Sequence, residues 1–425
     1  MRKYLLGTTA LVAASAVATS AMAMPIQSQS EAGVPILTAS MVAQWEAGIA
    51  SNDNNAASGN TRDGGFVNGR FAEIFFNGEL TAENGLVYGA KVHFNTGNVA
   101  SNGFPGREYI YMSGGWGSME FGNWIGADSG LNLCVTCNTY AGYGGLDTPW
   151  KSYIINPNAN YRNGSVNSMW FDQSVKITYY TPVFAGFQAG VSYAPTRNAF
   201  GAQPGGTFAD NDGQHKDMVQ GGVQFNHEFD GVGIALSAVG AVSDGYLTAS
   251  TPNTTGLNQL KDVTGIGYYE LGARVKYAGF QFGGSWWDEG NGGAIKGRDY
   301  GFEKEGWTLE AAYFSGPYGI EVQYMDTSSA SANRLVTSAL ATTSLSGSGG
   351  ANGFGVSNSA LTESYDVNAW AVSFGYRVAP GLKWYAEVVG ADFDHGQASA
   401  DISTNGATNL DNDAVAALTG LVLSF

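Results

Sequence analysis

Apolar residues return at every second position in run after run of this chain, and that period constrains the fold more than any other feature. Met41, Ala43, Trp45, Ala47 and Ile49 alternate with Val42, Gln44, Glu46 and Gly48, as in a strand whose two faces meet different surroundings. The period recurs at Ile74, Phe76 and Leu80, then at Tyr88, Ala90, Val92 and Phe94 beyond Asn84-Gly85, a hairpin signal. Ile177 and Tyr179, Val219, Val223, Phe225 and Phe229, and Leu271, Ala273, Val275 and Tyr277 continue it. So do Trp307, Leu309, Ala311 and Tyr313, then Ile320, Val322 and Tyr324, then Trp370, Val372, Phe374, Tyr376 and Val378, and Trp384, Ala386 and Val388. The last run, Val415 to Phe425, ends on the final residue.

The spacing of the connections turns these runs into an architecture. Seven are short: Thr81 to Gly85, Ser113 to Gly117, Thr181 to Gly186, Asp230-Gly231, Ala278-Gly279, Gly316 to Gly319 and Ala379-Pro380-Gly381. Eight long ones interleave with them, near 51–69, 96–106, 123–173, 195–216, 241–266, 288–305, 326–364 and 392–412. Fifteen connections make sixteen strands, and short turns on one side with long loops on the other predict an all-β antiparallel transmembrane barrel. Lys91, Lys176, Arg274 and Arg377 lie on the row opposite the apolar one. Each would cost roughly 2–4 kcal/mol against lipid at mid-membrane, so that row faces the lumen. A soluble sandwich would instead bury such charges unpaired.

One connection obeys no period. From Asn123 to about Gln173 the chain runs through Gly, Asn, Tyr and Trp without alternation, and a loop of that length inside a compact domain is usually functional. It is expected to fold inward and narrow the pore. Both cysteines lie in it, as Cys134-Val135-Thr136-Cys137. In an exported protein the pair favours a local disulfide; zinc would need further ligands, and no His lies in the loop. Free thiols are the third outcome.

Export is read from the start of the chain. Arg2 and Lys3, an apolar stretch around Leu11, and Ala21-Met22-Ala23 make residues 1–23 a signal peptide, leaving 24–425 as a single barrel domain. Without those two cations the 20 basic residues fall to 18 against 36 acidic ones, a net charge near −18. Such a field disfavours nucleic acid and anionic ligands as partners. With 22 Phe, 22 Tyr and 10 Trp the chain is no disordered tail. The four histidines, His93, His215, His227 and His395, are scattered, and none accompanies a hydrolase or zinc-protease motif, so no catalytic residue and no enzyme activity is expected. Asp210, Asp212 and Asp217, and Asp392, Asp394, Asp401, Asp411 and Asp413, fall in outer loops where Ca²⁺ could bind, though solvated loop acids explain them as well. No resident cofactor or metal is otherwise implied.

At Gly117-Ser118-Met119-Glu120-Phe121-Gly122, at Lys176-Ile177-Thr178-Tyr179-Tyr180-Thr181-Pro182-Val183-Phe184-Ala185-Gly186-Phe187-Gln188 and at Phe425, the chain resembles the Gram-negative general diffusion porins. The likeness covers essentially all of 24–425, although the enteric Pro-Glu-Phe-Gly-Gly stretch is missing from the loop. It implies a homotrimer in the outer membrane, surrounded by its lipid and lipopolysaccharide, with the third long loop as a constriction. It also implies acids on that loop facing bases on the wall, and a C-terminal aromatic, here Phe425, read by the barrel insertion machinery. Asp128 and Asp147 are the acids available on the loop, while Lys91, Lys176 and Arg107 are the candidate bases. The two acids could merely start turns, and the bases could be plain lumen charges. The inward rows carry Glu46, Glu73, Glu79, Glu120, Glu228, Glu270, Glu310, Glu321 and Glu387 against Lys91, Lys176, Arg274, Lys276, Arg377 and Lys383. That surplus predicts passive diffusion of ions and small hydrophilic solutes with weak cation selectivity. A pore specific for a sugar or anion is the alternative, and a non-channel adhesin or enzyme barrel is a more distant one.

Overall fold

The computed structural model describes residues 32–53, 63–95, 107–136, 146, 153–154, 174–196, 216–245, 265, 267–290, 304–332, 362–395 and 411–425. The proposed signal peptide, Asp147, Cys137, His215 and the aspartates 210, 212 and 401 lie outside them.

Sixteen strands follow one another: β1 (Ile36–Asn52), β2 (Gly64–Thr81), β3 (Val87–Asn95), β4 (Arg107–Gly114), β5 (Gly117–Asn123), β6 (Val175–Tyr180), β7 (Phe187–Thr196) and β8 (Lys216–Phe229). Next come β9 (Val232–Asp244), β10 (Gly267–Tyr277), β11 (Phe280–Asp288), β12 (Lys304–Ser315), β13 (Tyr318–Ala332), β14 (Thr362–Ala379), β15 (Leu382–His395) and β16 (Asn412–Ser424). Each pairs antiparallel with its neighbours in sequence, and β1 pairs with β16 from Val42↔Ser424 to Asn52↔Ala414. The sheet is thus a closed barrel without edges. Backbone bonds between Met41 and Phe425, at 3.1 and 2.9 Å, extend the seam to the last residue.

The short turns carry the backbone that tight hairpins need. Asp230-Gly231 and Ala278-Gly279 both place two successive residues at positive φ, 47° and 81° in the first and 49° and 87° in the second. That is the twist of the favoured two-residue turn.

Side chains sort as the alternation requires. Trp45, Ile49, Ile177, Val219, Leu271, Leu309 and Val388 are exposed on the outer surface, whereas Glu46, Gln220, Glu270, Glu310 and Glu387 are buried within. The barrel is therefore polar inside and apolar outside, which suits lipid. On β4, where both parities look apolar in sequence, Ile110 is exposed outward while Tyr111 bonds the inward Glu79 at 2.8 Å. Arg107 shares the inward parity.

Several strands outrun their alternating runs. β1 starts at Ile36 rather than near Met41, β2 starts at Gly64 inside the expected loop 51–69, and β13 and β14 reach Ala332 and Thr362 within 326–364. About ten residues suffice to cross the bilayer. Beyond that belt water meets both faces, so the apolar period fades although the backbone ladder continues.

Candidate pore constriction

Asn123 ends β5, and the chain turns into the lumen at Trp124, which is buried. All three candidate bases converge there. Lys91 Nζ lies 4.9 Å from the centre of the Trp124 ring and 5.2 Å from that of Phe75, and the Arg107 guanidinium lies 5.7 Å from the indole. Lys176, only 3% exposed, donates to the Trp124 carbonyl and, at 2.9 Å, to that of Ser174. Tyr109 tilts against the indole at 4.8 Å, and His93 stacks on Phe75 at 4.4 Å.

The loop then lies along the inner wall as a short helix, α1 (Ala127–Leu131), against β6 to β9. Glycine at position 190 makes the close approach possible, because a Cβ there would meet the Tyr180 ring at 2.7 Å and Ala127 at 3.1 Å. The helix is too short to hold itself, and wall side chains hold it. Ala127 N donates to Ser192 Oγ at 2.7 Å, Gln224 donates to the Leu131 carbonyl at 3.3 Å, and Leu133 N donates to Ser237 Oγ at 3.2 Å.

Asp128 is 1% exposed and accepts from Gln220 Nε2 at 2.9 Å and from the Tyr268 hydroxyl. Burial raises its carboxyl above the ordinary carboxylate value, while Tyr268, the Ser129 backbone, Gln220 and Lys176 pull it back. The structure thus places Asp128 against β8 and β10, hydrogen-bonded to Gln220 and Tyr268 and within the field of Lys176.

The wall contacts continue around the lumen. Asn132 donates to Glu270 at 2.8 Å, and Arg274 donates to the Val135 carbonyl at 3.3 Å while pairing with Glu310 at 2.6 and 3.2 Å. On β13, Gln323 accepts from Leu146 N at 2.8 Å. Tyr153 reaches Glu46 of β1, which also accepts from Tyr385 of β15 at 3.0 Å, and stacks on Phe66 of β2 at 3.6 Å. Leu146, Tyr153 and Ile154 pack into an inward apolar patch of Val42, Val389, Ala416, Leu418 and Val422. The described residues of the stretch, 123–136, 146 and 153–154, therefore lie inside the barrel and are fastened to its wall. Cys134 in the first half is disulfide-bonded.

Sequence reasoning missed the anchors, namely Gln220, Tyr268, Gln323, Tyr385 and the serines 192 and 237. One signal was available. Ala414, Ala416, Leu418 and Val422 make β16 apolar on its inward row as well as its outward one, and an apolar inward row needs an apolar cover.

Much of the inward charge is withdrawn from water. Of the inward acids, Glu46, Glu270, Glu310, Glu321 and Glu387 are buried, as are Lys176 and Arg274. Glu73, Glu79, Glu120 and Glu228 retain exposure, against Lys91, Arg107, Lys276, Arg377 and Lys383. Among the described residues no three His, Cys, Asp or Glu side chains are grouped to hold a metal ion.

A family model described as "Gram-negative porin" matches residues 7–407. The fold is similar to the trimer form of in-vitro folded OmpT, an outer membrane protein of Vibrio cholerae, with a TM-score of 0.56 at 10% identity over 93% of this chain and 100% of that one. It is also similar to an anion-selective porin from Comamonas acidovorans, with a TM-score of 0.54 at 15% identity over 92% and 100%. No curated protein sequence matches the chain.

Proposed function

This chain belongs to the Gram-negative porin family, and from that premise we propose that its outer-membrane barrel passes ions and small hydrophilic solutes by passive diffusion with a weak preference for cations. One observation carries the reading: a closed barrel, polar within and apolar without, holds a loop against its inner wall. A channel, rather than an enzyme, uses all of these features. The trimer form of a protein of similar fold supports a homotrimer.

The cation preference has a narrower base than the surplus of inward glutamates suggested, since five of them are buried. Its support comes from the long-loop ends of β13 to β16, where Asp326, Asp366, Asp392, Asp394 and Asp413 gather. An acidic mouth concentrates cations. Purified protein in a planar bilayer should conduct in steady steps, with a zero-current potential of cation-selective sign in a KCl gradient. Salt should shrink that potential as the screening length falls below ~8–10 Å. Silent bilayers would sink the channel, and an anion-selective sign would sink the preference.

A second reading, a pore specific for an anionic solute, draws on the gathering of Lys91, Arg107 and Lys176 at Trp124. The Cys134–Cys137 pairing belongs to the same proposal, as a clasp within the loop; Ca²⁺ at the outer loops is a separate expectation, tested by calorimetric titration of the purified protein.

A further inference from the structure

We propose that Glu228, Gly233 and Lys276, side by side on β8, β9 and β10, form a subsite for zwitterionic solutes, amino acids and short peptides, at the short-turn mouth of the pore. The proposal rests on the channel reading and names a solute class for it.

The strand register sets the three residues in one rung. Glu228 pairs with Gly233, and Gly233 pairs in turn with Lys276. All three share the inward row with the buried Gln224 of β8, Ser237 of β9 and Glu270 of β10. Neighbouring strands stand about 4.7–4.9 Å apart, so an acid and a base flank a gap of about 10 Å between their backbones. The residue between them has no side chain. Of the described residues, a Cβ at Gly233 would meet Lys276 alone, at 3.5 Å. Ala235 is the next inward residue of β9, and it too is small and partly exposed. The inward loop lies just above: Leu133 covers Gly272, where a Cβ would meet it at 3.3 Å, and Gln224 donates to the Leu131 carbonyl at 3.3 Å. These surfaces make a niche with a low floor, two charged sides and a roof.

Both charges are open to an arriving solute. Glu228 and Lys276 are exposed, and among the described residues neither side chain makes a hydrogen bond or an ion pair. Their charged neighbours are otherwise engaged. Arg274 pairs with Glu310, and Gln281, which faces Lys276 on β11, donates to the same carboxylate; Asp230 lies beyond, in the turn after β8. A cation drawn to Glu228 meets the repulsion of Lys276, and an anion drawn to Lys276 meets that of Glu228. A zwitterion gains at both ends. Its ammonium donates to the Glu228 carboxylate and its carboxylate accepts from Lys276, and charge-assisted bonds of this kind are about twice as strong as neutral ones. The bare floor at Gly233 leaves room for the atoms that join the two ends.

The test is inhibition of single-channel KCl current at neutral pH by added glycylglycine, with N-acetylglycine and glycinamide as the anion-only and cation-only probes. Glycylglycine should reduce the current saturably, and the other two at equal concentration should not. Glu228→Gln and Lys276→Gln should each raise the half-effect concentration about tenfold, the loss of one charge-assisted contact. Exchanging the charges, Glu228→Lys with Lys276→Glu, should recover most of it, because the dipeptide can bind reversed. Gly233→Leu keeps both charges but fills the floor, and should abolish the saturable effect. Each variant's barrel is checked by its heat-dependent gel migration. Conducting channels with equal responses to the three probes, or with unchanged half-effect concentrations in Glu228→Gln and Lys276→Gln, would overturn the subsite alone. Channels silent in KCl would overturn the diffusion reading and the subsite with it.

Discussion

Ala278 holds φ 49° in the turn between β10 and β11, a conformation that its Cβ disfavours and that Asn tolerates. Ala278→Asn should therefore stabilise the barrel by about 0.5–1 kcal/mol, read as a higher denaturant midpoint in detergent; a lower midpoint would show that the turn is not strained there. Arg274 presents the opposite case. Its guanidinium pairs with Glu310, whose side chain has no exposure, and Gln281 also donates to that carboxylate at 2.8 Å. Removing only the cation strands a buried charge, so Arg274→Met should cost roughly 3–5 kcal/mol in the same unfolding experiment. Adding Glu310→Gln should recover much of that loss. If the double variant is no better than the single one, the cost lies in the lost contact with Val135 rather than in the uncompensated carboxylate.

The inward loop stays in place because it is fastened, and one fastening titrates. Burial raises the Asp128 carboxyl above its ordinary value of 3.8. The docked loop therefore keeps its proton to higher pH than the undocked loop, and docking is most stable below the ordinary value. It weakens as pH climbs to the raised one, then levels off. Hydrogen exchange at the α1 amides, corrected for intrinsic rates, should show protection declining across that window, and Asp128→Asn should flatten the profile. Protection that rises with pH would mean that the Tyr268 and Gln220 bonds outweigh burial. Such fastenings mark the limit of what the sequence discloses. The sixteen strands were legible because period two survives wherever one face meets lipid, as at Leu271 to Tyr277. The inward course of the loop's described residues was legible because the lack of period from 123 to 173 left the segment no place in the wall. Its partners were not, because Gln220, Ser192 and Ser237 look like any other polar residue of an inward row. Only the inward turn of the chain after β5 lays α1 over β7, β8 and β9. Lys91, Arg107 and Lys176 could be selected as inward bases, yet nothing in their spacing announced that one residue, Trp124, would gather them.

At the scale of the molecule, the barrel closes where β1 meets β16, and a substitution at Phe425 separates what its backbone does there from what its side chain does. Its backbone exchanges hydrogen bonds with Met41 at 2.9 and 3.1 Å, which closes the last rung of the β1–β16 seam. Its side chain is 62% exposed, so the ring contributes little packing within the chain. Phe425→Ala keeps the backbone rung and removes the ring. If the ring serves the seam, the variant should refold poorly from denaturant into detergent micelles. If it serves recognition by the insertion machinery, refolding in micelles should match the wild type while cells fail to place the protein in the outer membrane. The exposure favours recognition, so we expect normal refolding in vitro and a severalfold loss of heat-modifiable barrel in isolated outer membranes. Deleting residue 425 also removes the rung, and should add a lower denaturant midpoint, by about 1 kcal/mol for each lost hydrogen bond. Equal refolding defects in both variants would place the ring's role in the seam after all, since only a packing contribution would make the loss of the side chain alone as costly as the loss of the whole residue.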